Sequence, residues 1–321
     1  MELELQPPDW ATHVISDLTD WRRSPLPVDQ LEPLQLPDDV YFEYAFLDGD
    51  GEPRPDPENP YPARNHWWPY ARSITGPKYR PDPYAEIGRA RPAGQVRRLT
   101  VNSVLLGQNR RVLVYTPPGY AGQALPTIYF QDGKAYYGWG QAPQILDRLL
   151  VEKAVLPAHL VFVTPLERAR EYARDETYLL FLLEELLPLV ETEAPSDNHR
   201  IAMGASLGGL LSGRLAWSHP ELFQTVVAQS GAFLTSPGEE IGDPFHGSEW
   251  MRREVLSRVP RPLRWYLDCG TLEWLLPSND RLATALQERG YELEYRRRNA
   301  GHNWVNWRNG LADALRFALA P

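Results

Sequence analysis

Short apolar runs alternate with segments of helical periodicity from about residue 96 to the C-terminus. The central apolar runs are continuous, which is typical of strands whose two faces are both covered. The pattern predicts strands over 97–106, 111–116, 126–131, 160–165, 199–205, 225–230, 263–269 and 292–298. It predicts helices over 141–152, 176–191, 207–218, 278–290 and 306–319. Because a hairpin turn at 107–109 joins the first two strands and helices join the later ones, we expect an α/β fold that begins antiparallel and continues as a doubly wound parallel sheet.

Residues 1–92 follow a different pattern. Prolines crowd this stretch, and short alternating runs such as 40–46 stand between turns such as 48–51. Few of its segments have helical periodicity. We therefore expect a small Pro-rich β-sandwich domain over 1–92, followed by an α/β domain over 93–321. An aromatic cluster in the first domain, formed by Trp67, Trp68 and Tyr70, is either a binding platform or packing at the domain joint.

Composition adds a few exclusions. Of the 321 residues, 43% are hydrophobic and 23% are charged, as in ordinary globular proteins. The net charge of −9 disfavours nucleic acid and anionic membranes as partners. Cys269 is the only cysteine, so an intrachain disulfide is excluded. The acidic N-terminus lacks the apolar run of a signal peptide and no window approaches a membrane span, which leads us to expect a cytoplasmic protein.

The stretch 200–217 carries the main candidate for chemistry. A short apolar strand leads into Gly204-Ala205-Ser206-Leu207-Gly208, and a helical run follows at once. Strand, tight turn with a central serine, and helix are the context of a nucleophile elbow. Glycines two residues before and after the serine relieve crowding in the turn, and the helix N-terminus favours developing negative charge. The alternative is a Gly-rich helix start with an idle serine.

A serine nucleophile needs a base and an acid that orients the base. His302 follows the last predicted strand, where such a fold places its histidine. The acid is expected after the preceding strand, where Glu273 lies in the loop and Asp268 at the strand end. We favour Glu273 and keep Asp268 as the alternative.

The oxyanion and substrate need further groups. The backbone amides of Leu207 and Lys134 are the expected oxyanion donors, because they follow the serine and an earlier strand end. Asp132 either contacts a substrate hydroxyl or fixes its loop. Trp139, Trp304 and the segment 232–253, with His246, are candidates for the pocket lining. No cluster of histidine and cysteine ligands is evident, so we expect neither a metal nor an organic cofactor.

Eight segments in this order resemble the enterochelin-esterase-like branch of the α/β-hydrolases, related to feruloyl esterases and esterase D. They are YFQDG (129–133), QILDRLL (144–150), REY (170–172), MGASLGGLLS (203–212), HPELF (219–223), QSGAF (229–233), DCGTLEWLLPSND (268–280) and AGHNWVNWRNGL (300–311). The pieces 13–21 and 41–60 resemble the immunoglobulin-like N-terminal domains of enterochelin esterases and carbohydrate-active enzymes.

The resemblance implies an α/β-hydrolase fold and a serine triad. The acid of related esterases lies in a C-G-T-x-D/E loop, which places it at Glu273, although some siderophore hydrolases of this branch use a serine–histidine pair alone. Where members carry Gly-Gly-His, this chain has alanine at position 300, a change we expect to be tolerated. An arginine-lined pocket for a ferric triscatecholate has three candidates: Arg168, Arg170 and Arg308.

We therefore expect a serine esterase that hydrolyses a small-molecule carboxylic ester, with enterochelin-type siderophores as the leading substrate class. One alternative is a carbohydrate esterase of feruloyl or acetyl type, and another is an acyltransferase on the same scaffold. A third is a ligand-binding protein with an idle hydrolase fold.

Overall fold

The computed structural model describes residues 1–86, 88, 91–238 and 247–321. Its N-terminal strands are β1 (Glu2–Leu3), β2 (His13–Ser16), β3 (Leu26–Pro27), β4 (Leu34–Gln35), β5 (Tyr41–Leu47), β6 (Pro53–Arg54) and β7 (Arg72–Thr75). Antiparallel pairing joins β3, β2, β5 and β6 in that order, and β7 also pairs with β5. β1 and β4 form a separate pair whose leucines pack against the larger sheet, so two layers are present.

Strand β5 is buried along its whole length. Since alternate residues point to opposite faces of a strand, Phe42, Tyr44 and Phe46 enter one apolar cluster and Ala45 and Leu47 enter another. The second face of β5 also carries Glu43, a buried carboxyl. This strand is therefore covered on both sides, which the alternating pattern of 40–46 did not reveal.

The larger part of the chain forms an eight-stranded sheet. Its strands are β8 (Gln95–Ser103), β9 (Gln108–Thr116), β10 (Leu125–Phe130), β11 (His159–Val163), β12 (Ser196–Ala205), β13 (Thr225–Gln229), β14 (Arg264–Gly270) and β15 (Glu292–Arg298). They lie in the order β15-β14-β13-β12-β10-β11-β9-β8. β9 pairs antiparallel with β8 and β11, and the other pairs are parallel. The predicted strands and their antiparallel start are confirmed. The hairpin turn between β8 and β9 lies at 104–107 and not at the predicted 107–109, because Gln108 and Asn109 already pair with β8 as part of β9.

Helices cover both faces of this sheet. They are α1 (Gly133–Gly138), α2 (Ala142–Val151), α3 (Arg168–Ala173), α4 (Glu176–Leu180), α5 (Leu187–Glu193), α6 (Leu207–Ser218), α7 (Trp250–Ser257), α8 (Leu276–Glu288) and α9 (Trp304–Ala318). A π-helical segment, Phe181–Leu186, joins α4 to α5. The sequence did not predict α1, α3 and α7, because six to eight residues are too few to show a helical period.

The two faces hold separate apolar clusters. Leucines of α6 and α8 belong to one cluster, and apolar residues of α2 and α9 belong to the other. Each fully buried leucine or isoleucine contributes roughly 1.5–3 kcal/mol relative to an exposed position. The position of α6 against the sheet is therefore strongly determined, and with it the position of the serine that precedes the helix.

Gly204 allows β12 and α6 to meet closely. A Cβ atom on Gly204 would lie 2.4 Å from the carbonyl carbon and oxygen of Gly208. We expect Gly204→Ala to lower the free energy of unfolding by about 1–3 kcal/mol, because backbone atoms must move to admit the methyl group. Urea denaturation would measure the loss. Gly138→Ala is the matched control, since nothing lies within 4 Å of a Cβ there. Equal midpoints for the two variants would contradict the close-contact explanation.

Candidate active site

Ser206 lies on a strained turn between β12 and α6. Its φ of 56° and ψ of −123° are unusual for a residue with a side chain. The Ser206 amide donates to Gln229 O at 2.9 Å, and the Ala232 amide donates to Ser206 O at 2.9 Å. The end of β13 thus holds the turn in place. The backbone has the form predicted for a nucleophile elbow.

His302 and Glu273 meet beside this turn. Nδ1 of the imidazole lies 2.7 Å from Oε2 of the carboxylate, whose side chain is fully buried. The other carboxylate oxygen accepts three hydrogen bonds, from the Ser230 hydroxyl at 2.6 Å, the Gly270 amide at 2.8 Å and the Asn306 amide group at 3.1 Å. A buried charge is tolerated when its lone pairs are satisfied in this way. The carboxylate fixes the proton on Nδ1 and leaves Nε2 available as a base.

Asp268, the alternative acid, does not contact the histidine. Its Oδ2 accepts hydrogen bonds from Gln229 Nε2 and Arg298 Nη1, both at 3.0 Å. Burial raises the pKa of Asp268 to about 6, and the Arg298 guanidinium opposes part of that rise. The geometry therefore brings Glu273 to His302 and assigns Asp268 to an ion pair with β15.

No hydrogen bond joins Ser206 Oγ to the imidazole in the described part of the chain. Such contacts are often long in unliganded enzymes and tighten when substrate binds. The amide of Leu207 donates to none of the described residues, so it is free to bind an oxyanion. The expected second donor is not free, because the Lys134 amide donates to Thr164 Oγ1 at 3.0 Å. The sequence could not show that a hydroxyl from the end of β11 reaches this amide.

Asp132 is held by an ion pair. Both of its carboxylate oxygens accept from Arg168, with Nε and Nη2 at 2.8 Å from Oδ1 and Oδ2. Arg168 Nη2 also donates to Ala205 O at 3.1 Å, so the pair ties the loop after β10 to the residue before Ser206. Asp132 thus fixes its loop, which was one of its two interpretations, and a contact with a substrate hydroxyl stays a prediction.

Aromatic rings surround His302. Trp274 lies 4.6 Å from the imidazole between ring centroids, Trp307 lies 5.0 Å away, and Trp67 of the N-terminal part lies 6.3 Å away. Trp67 is 42% exposed, so it borders the site and remains open to a ligand. The sequence offered it only within an ambiguous cluster. Its signal was the pair of tryptophans at 67 and 68, and the structure separates them, because Trp68 stacks on Trp21.

The two tryptophans predicted to bind substrate differ in exposure. Trp139 is 38% exposed and stacks on His66 at 3.5 Å. Trp304 is 5% exposed and packs against Tyr136 and Trp307. Trp139 therefore keeps surface open to a ligand, whereas Trp304 lies in the core at the start of α9 and leaves little surface for one.

The predicted arginines are also separated. Arg170 pairs with Glu167 and Asp175 on the surface. Arg308 lines a cavity of about 750 Å³ between the N-terminal part and α9, together with Arg64. Burial and the Arg64 charge lower the pKa of Arg308.

His246 lies outside the described residues. Within 1–86, 88, 91–238 and 247–321, no helix combines the length and apolar character needed to cross a bilayer.

Curated relatives match about two thirds of this chain. An iron(III) salmochelin esterase of Escherichia coli O6:H1 is 26% identical over 233 residues, which cover 68% of this chain and 56% of the relative. An iron(III) enterobactin esterase of Dickeya dadantii is 29% identical over 244 residues, which cover 69% and 55%. The chain therefore spans little more than half the length of these relatives.

Solved structures share the fold. An enterobactin esterase from Shigella flexneri, solved in the presence of enterobactin, has a TM-score of 0.77 at 21% identity and covers 99% of this chain and 90% of its own. A ferulic acid esterase has a TM-score of 0.61 at 22% identity and covers 71% and 99%. These likenesses confirm the α/β-hydrolase fold. The sequence model of the family described as "Putative esterase" matches residues 103–318, about two thirds of the chain, and the chain belongs to that family.

Proposed function

We propose that this chain is a serine esterase that hydrolyses siderophore-type esters, with Ser206, His302 and Glu273 as its triad. The observation that carries the proposal is the 2.7 Å hydrogen bond between the buried Glu273 carboxylate and His302 Nδ1, beside a strained serine turn. Outside active sites, a fold gains little from a strained serine, a buried carboxylate and an imidazole placed together.

In the acylation step, Ser206 Oγ bonds to the ester carbonyl carbon while its proton passes to His302 Nε2. The carbonyl electron pair moves onto oxygen, where the Leu207 amide donates to it. The Lys134 amide joins as the second donor when its bond to Thr164 is exchanged for the oxyanion. The bond to the leaving alcohol then breaks, and His302 returns the proton to that alcohol.

In the deacylation step, water takes the place of the serine hydroxyl. His302 removes a proton from the water, whose oxygen bonds to the acyl carbon, and a second oxyanion forms. Collapse of this intermediate breaks the bond to Ser206 Oγ, which receives the proton from His302. The products are the free carboxylic acid and the alcohol. Throughout, Glu273 stabilises the imidazolium by its negative charge.

The comparisons support the siderophore class. Relatives named for salmochelin and enterobactin match about two thirds of the chain, and the enterobactin esterase structure covers 99% of the chain, including the N-terminal sheets. The ferulic acid esterase structure covers only 71%. Exposed indoles at Trp67 and Trp139 suit the flat rings of catecholate esters, and the guanidiniums of Arg64 and Arg308 suit their negative charge.

Activation of Ser206 can be tested by labelling with a fluorophosphonate, which reacts only with activated serines. We expect the wild type to be labelled at Ser206 and Ser206→Ala to be unlabelled. Ser218→Ala is the matched control, because it removes an exposed serine at the other end of the same helix. An unlabelled wild type would reject the esterase and favour the ligand-binding alternative.

The substrate class needs its own comparison. We expect kcat/KM for ferric enterobactin to exceed that for methyl ferulate and acetylated xylose by at least about tenfold, since each lost aromatic or charged contact costs roughly 1 kcal/mol or more. Hydrolysis products are followed by chromatography. A preference for the feruloyl ester would support the carbohydrate esterase, and transfer of the acyl group to a sugar in preference to water would support the acyltransferase.

A further inference from the structure

The loop that carries His302 is bonded to the N-terminal sheet. The Tyr41 amide donates to Asn299 O at 2.9 Å, and Tyr41 pairs in parallel with Ala300. Asn299 Nδ2 donates to Asp39 Oδ1 at 2.6 Å. The start of β5 thus pairs with the loop just before the histidine. The backbone of the proposed base is held partly by residues outside the hydrolase sheet.

A buried carboxyl of the same N-terminal part fills the space beside this loop. Asp17 is 3% exposed, and a Cβ atom on Gly301 would lie 2.0 Å from its Cγ and Oδ1. Position 301 therefore has to be glycine while Asp17 stands there. The small residues before His302 thus leave room for the Asp17 carboxyl, which packs against the Cα of Gly301.

Asp17 is itself held firmly on the sheet. The Glu43 amide donates to its Oδ2 at 2.8 Å, and its own amide donates to Glu43 O at 3.1 Å. Among the described residues its buried Oδ1 makes no hydrogen bond of full geometry, nor does the buried Nδ2 of Asn303, although the Asn303 side chain lies close enough to Asp17 to lower its pKa. Asn303 Oδ1 accepts from the Asn306 amide and caps α9.

Retaining a carboxyl here is costly. Burial, then the nearby Glu43 and Glu273 carboxyls, raise the pKa of Asp17 well above its usual range, while the Glu43 amide and Asn303 oppose the rise. The raised pKa disfavours a negative charge on Asp17 beside the Glu273–His302 pair. An apolar residue would pack here at lower cost, so the position calls for an explanation beyond stability.

We propose that Asp17 is a positioning residue for His302, acting through Gly301 and Asn303, and that the N-terminal sheet is thereby part of the catalytic machinery. Asp17 touches neither the imidazole nor the substrate. It sets the path of the backbone on which the imidazole is carried, and Glu273 then orients the ring. This inference rests on the proposed esterase activity.

The kinetic test compares Asp17→Ala with Asp17→Asn in the full chain. A displacement of the base by about 1 Å costs up to roughly 100-fold, so we expect Asp17→Ala to lower kcat for p-nitrophenyl butyrate by about 10- to 100-fold, with KM changed less than about threefold. Asp17→Asn keeps the shape of the carboxyl group, so it is expected to stay within about threefold of wild type.

A matched control separates positioning from general stability. Asp56 is another buried carboxyl of the N-terminal part, 5% exposed and bonded to the Tyr44 hydroxyl at 2.5 Å, without a contact to the histidine loop in the described residues. Asp56→Ala is expected to lower the melting temperature without lowering kcat per folded molecule. Equal losses of kcat in Asp17→Ala and Asp56→Ala would overturn the proposal.

The loop also offers a readout that does not depend on catalysis. We expect faster hydrogen exchange at the amides of 299–303 in Asp17→Ala, and wild-type exchange in Asp17→Asn and Asp56→Ala. Unchanged exchange in Asp17→Ala would overturn the positioning role even if activity falls. A wild type without esterase activity would reject the proposed function, whereas the exchange data would still decide whether Asp17 holds the loop.

The pH profile gives a final check. The groups that face Asp17 are Glu43 on β5, Glu273 in the loop after β14, and Asn303 beside His302. His302 also faces Asp20 in the turn after β2. Because the positioning role depends on the shape of the side chain and not on its charge, Asp17→Asn is expected to leave the neutral limb of the kcat profile unchanged. A shift of that limb by a full pH unit would show that Asp17 acts as a charge and would overturn the positioning role.

Discussion

Ser206→Ala is expected to lower kcat for p-nitrophenyl butyrate by at least about 10⁴-fold, because no other group can form the acyl-enzyme. His302→Ala is expected to cost about as much. The double variant should lose little more than either single variant, since the two side chains act as a unit. Steady-state hydrolysis assays on purified proteins, with folding checked by circular dichroism, would measure these losses.

Ser218→Ala, the matched control on the same helix, is expected to keep wild-type turnover. Losses that simply multiply in the double variant would argue that the serine and the histidine act independently. Turnover that survives in Ser206→Ala would reject the serine as nucleophile, whatever the histidine variant shows. The strained backbone at Ser206 would then need another explanation.

Glu273→Gln is expected to lower kcat by about 10²- to 10⁴-fold while KM changes little. The glutamine keeps the size of the side chain but loses the charge that stabilises the imidazolium and selects its tautomer. Because the carboxylate is fully buried and accepts hydrogen bonds at both oxygens, a water molecule cannot easily enter and take over its contact with His302. Single-turnover acylation measurements would place the loss in the chemical step.

Asp268→Asn is the matched comparison, since it makes the same change in the neighbouring buried carboxyl. It weakens the ion pair with Arg298, so we expect a lower melting temperature and a kcat within about threefold of wild type. A larger loss of kcat in Asp268→Asn than in Glu273→Gln would make Asp268 the functional acid. Full activity in both would point to a serine–histidine pair that works without an acid.

The sequence predicted the sheet well because its central strands are continuous apolar runs, a signal that survives without tertiary information. It also predicted that Glu273 would reach His302, because the order of strands in this fold brings their two loops to one edge. Those predictions rest on local pattern and on topology, and both can be read along the chain.

The sequence could not predict contacts between residues that are distant along the chain. The bond from the Lys134 amide to Thr164, the clamp of Arg168 on Asp132 and the packing of Asp17 on Gly301 leave no periodic trace. Each depends on rotamers and on the exact approach of two elements. For the same reason the sequence did not show that the N-terminal part contacts the loop of His302.

The clamp between Asp132 and Arg168 has a consequence for how this site can change. Its hydrogen bonds tie the loop after β10 to Ala205, so the backbone next to Ser206 is held rigidly. The residues proposed to meet the substrate are less constrained, because Trp67 and Trp139 are partly exposed side chains of surface loops. New ester preferences can therefore evolve by substitution at these two positions, while Ser206, His302 and Glu273 remain unchanged.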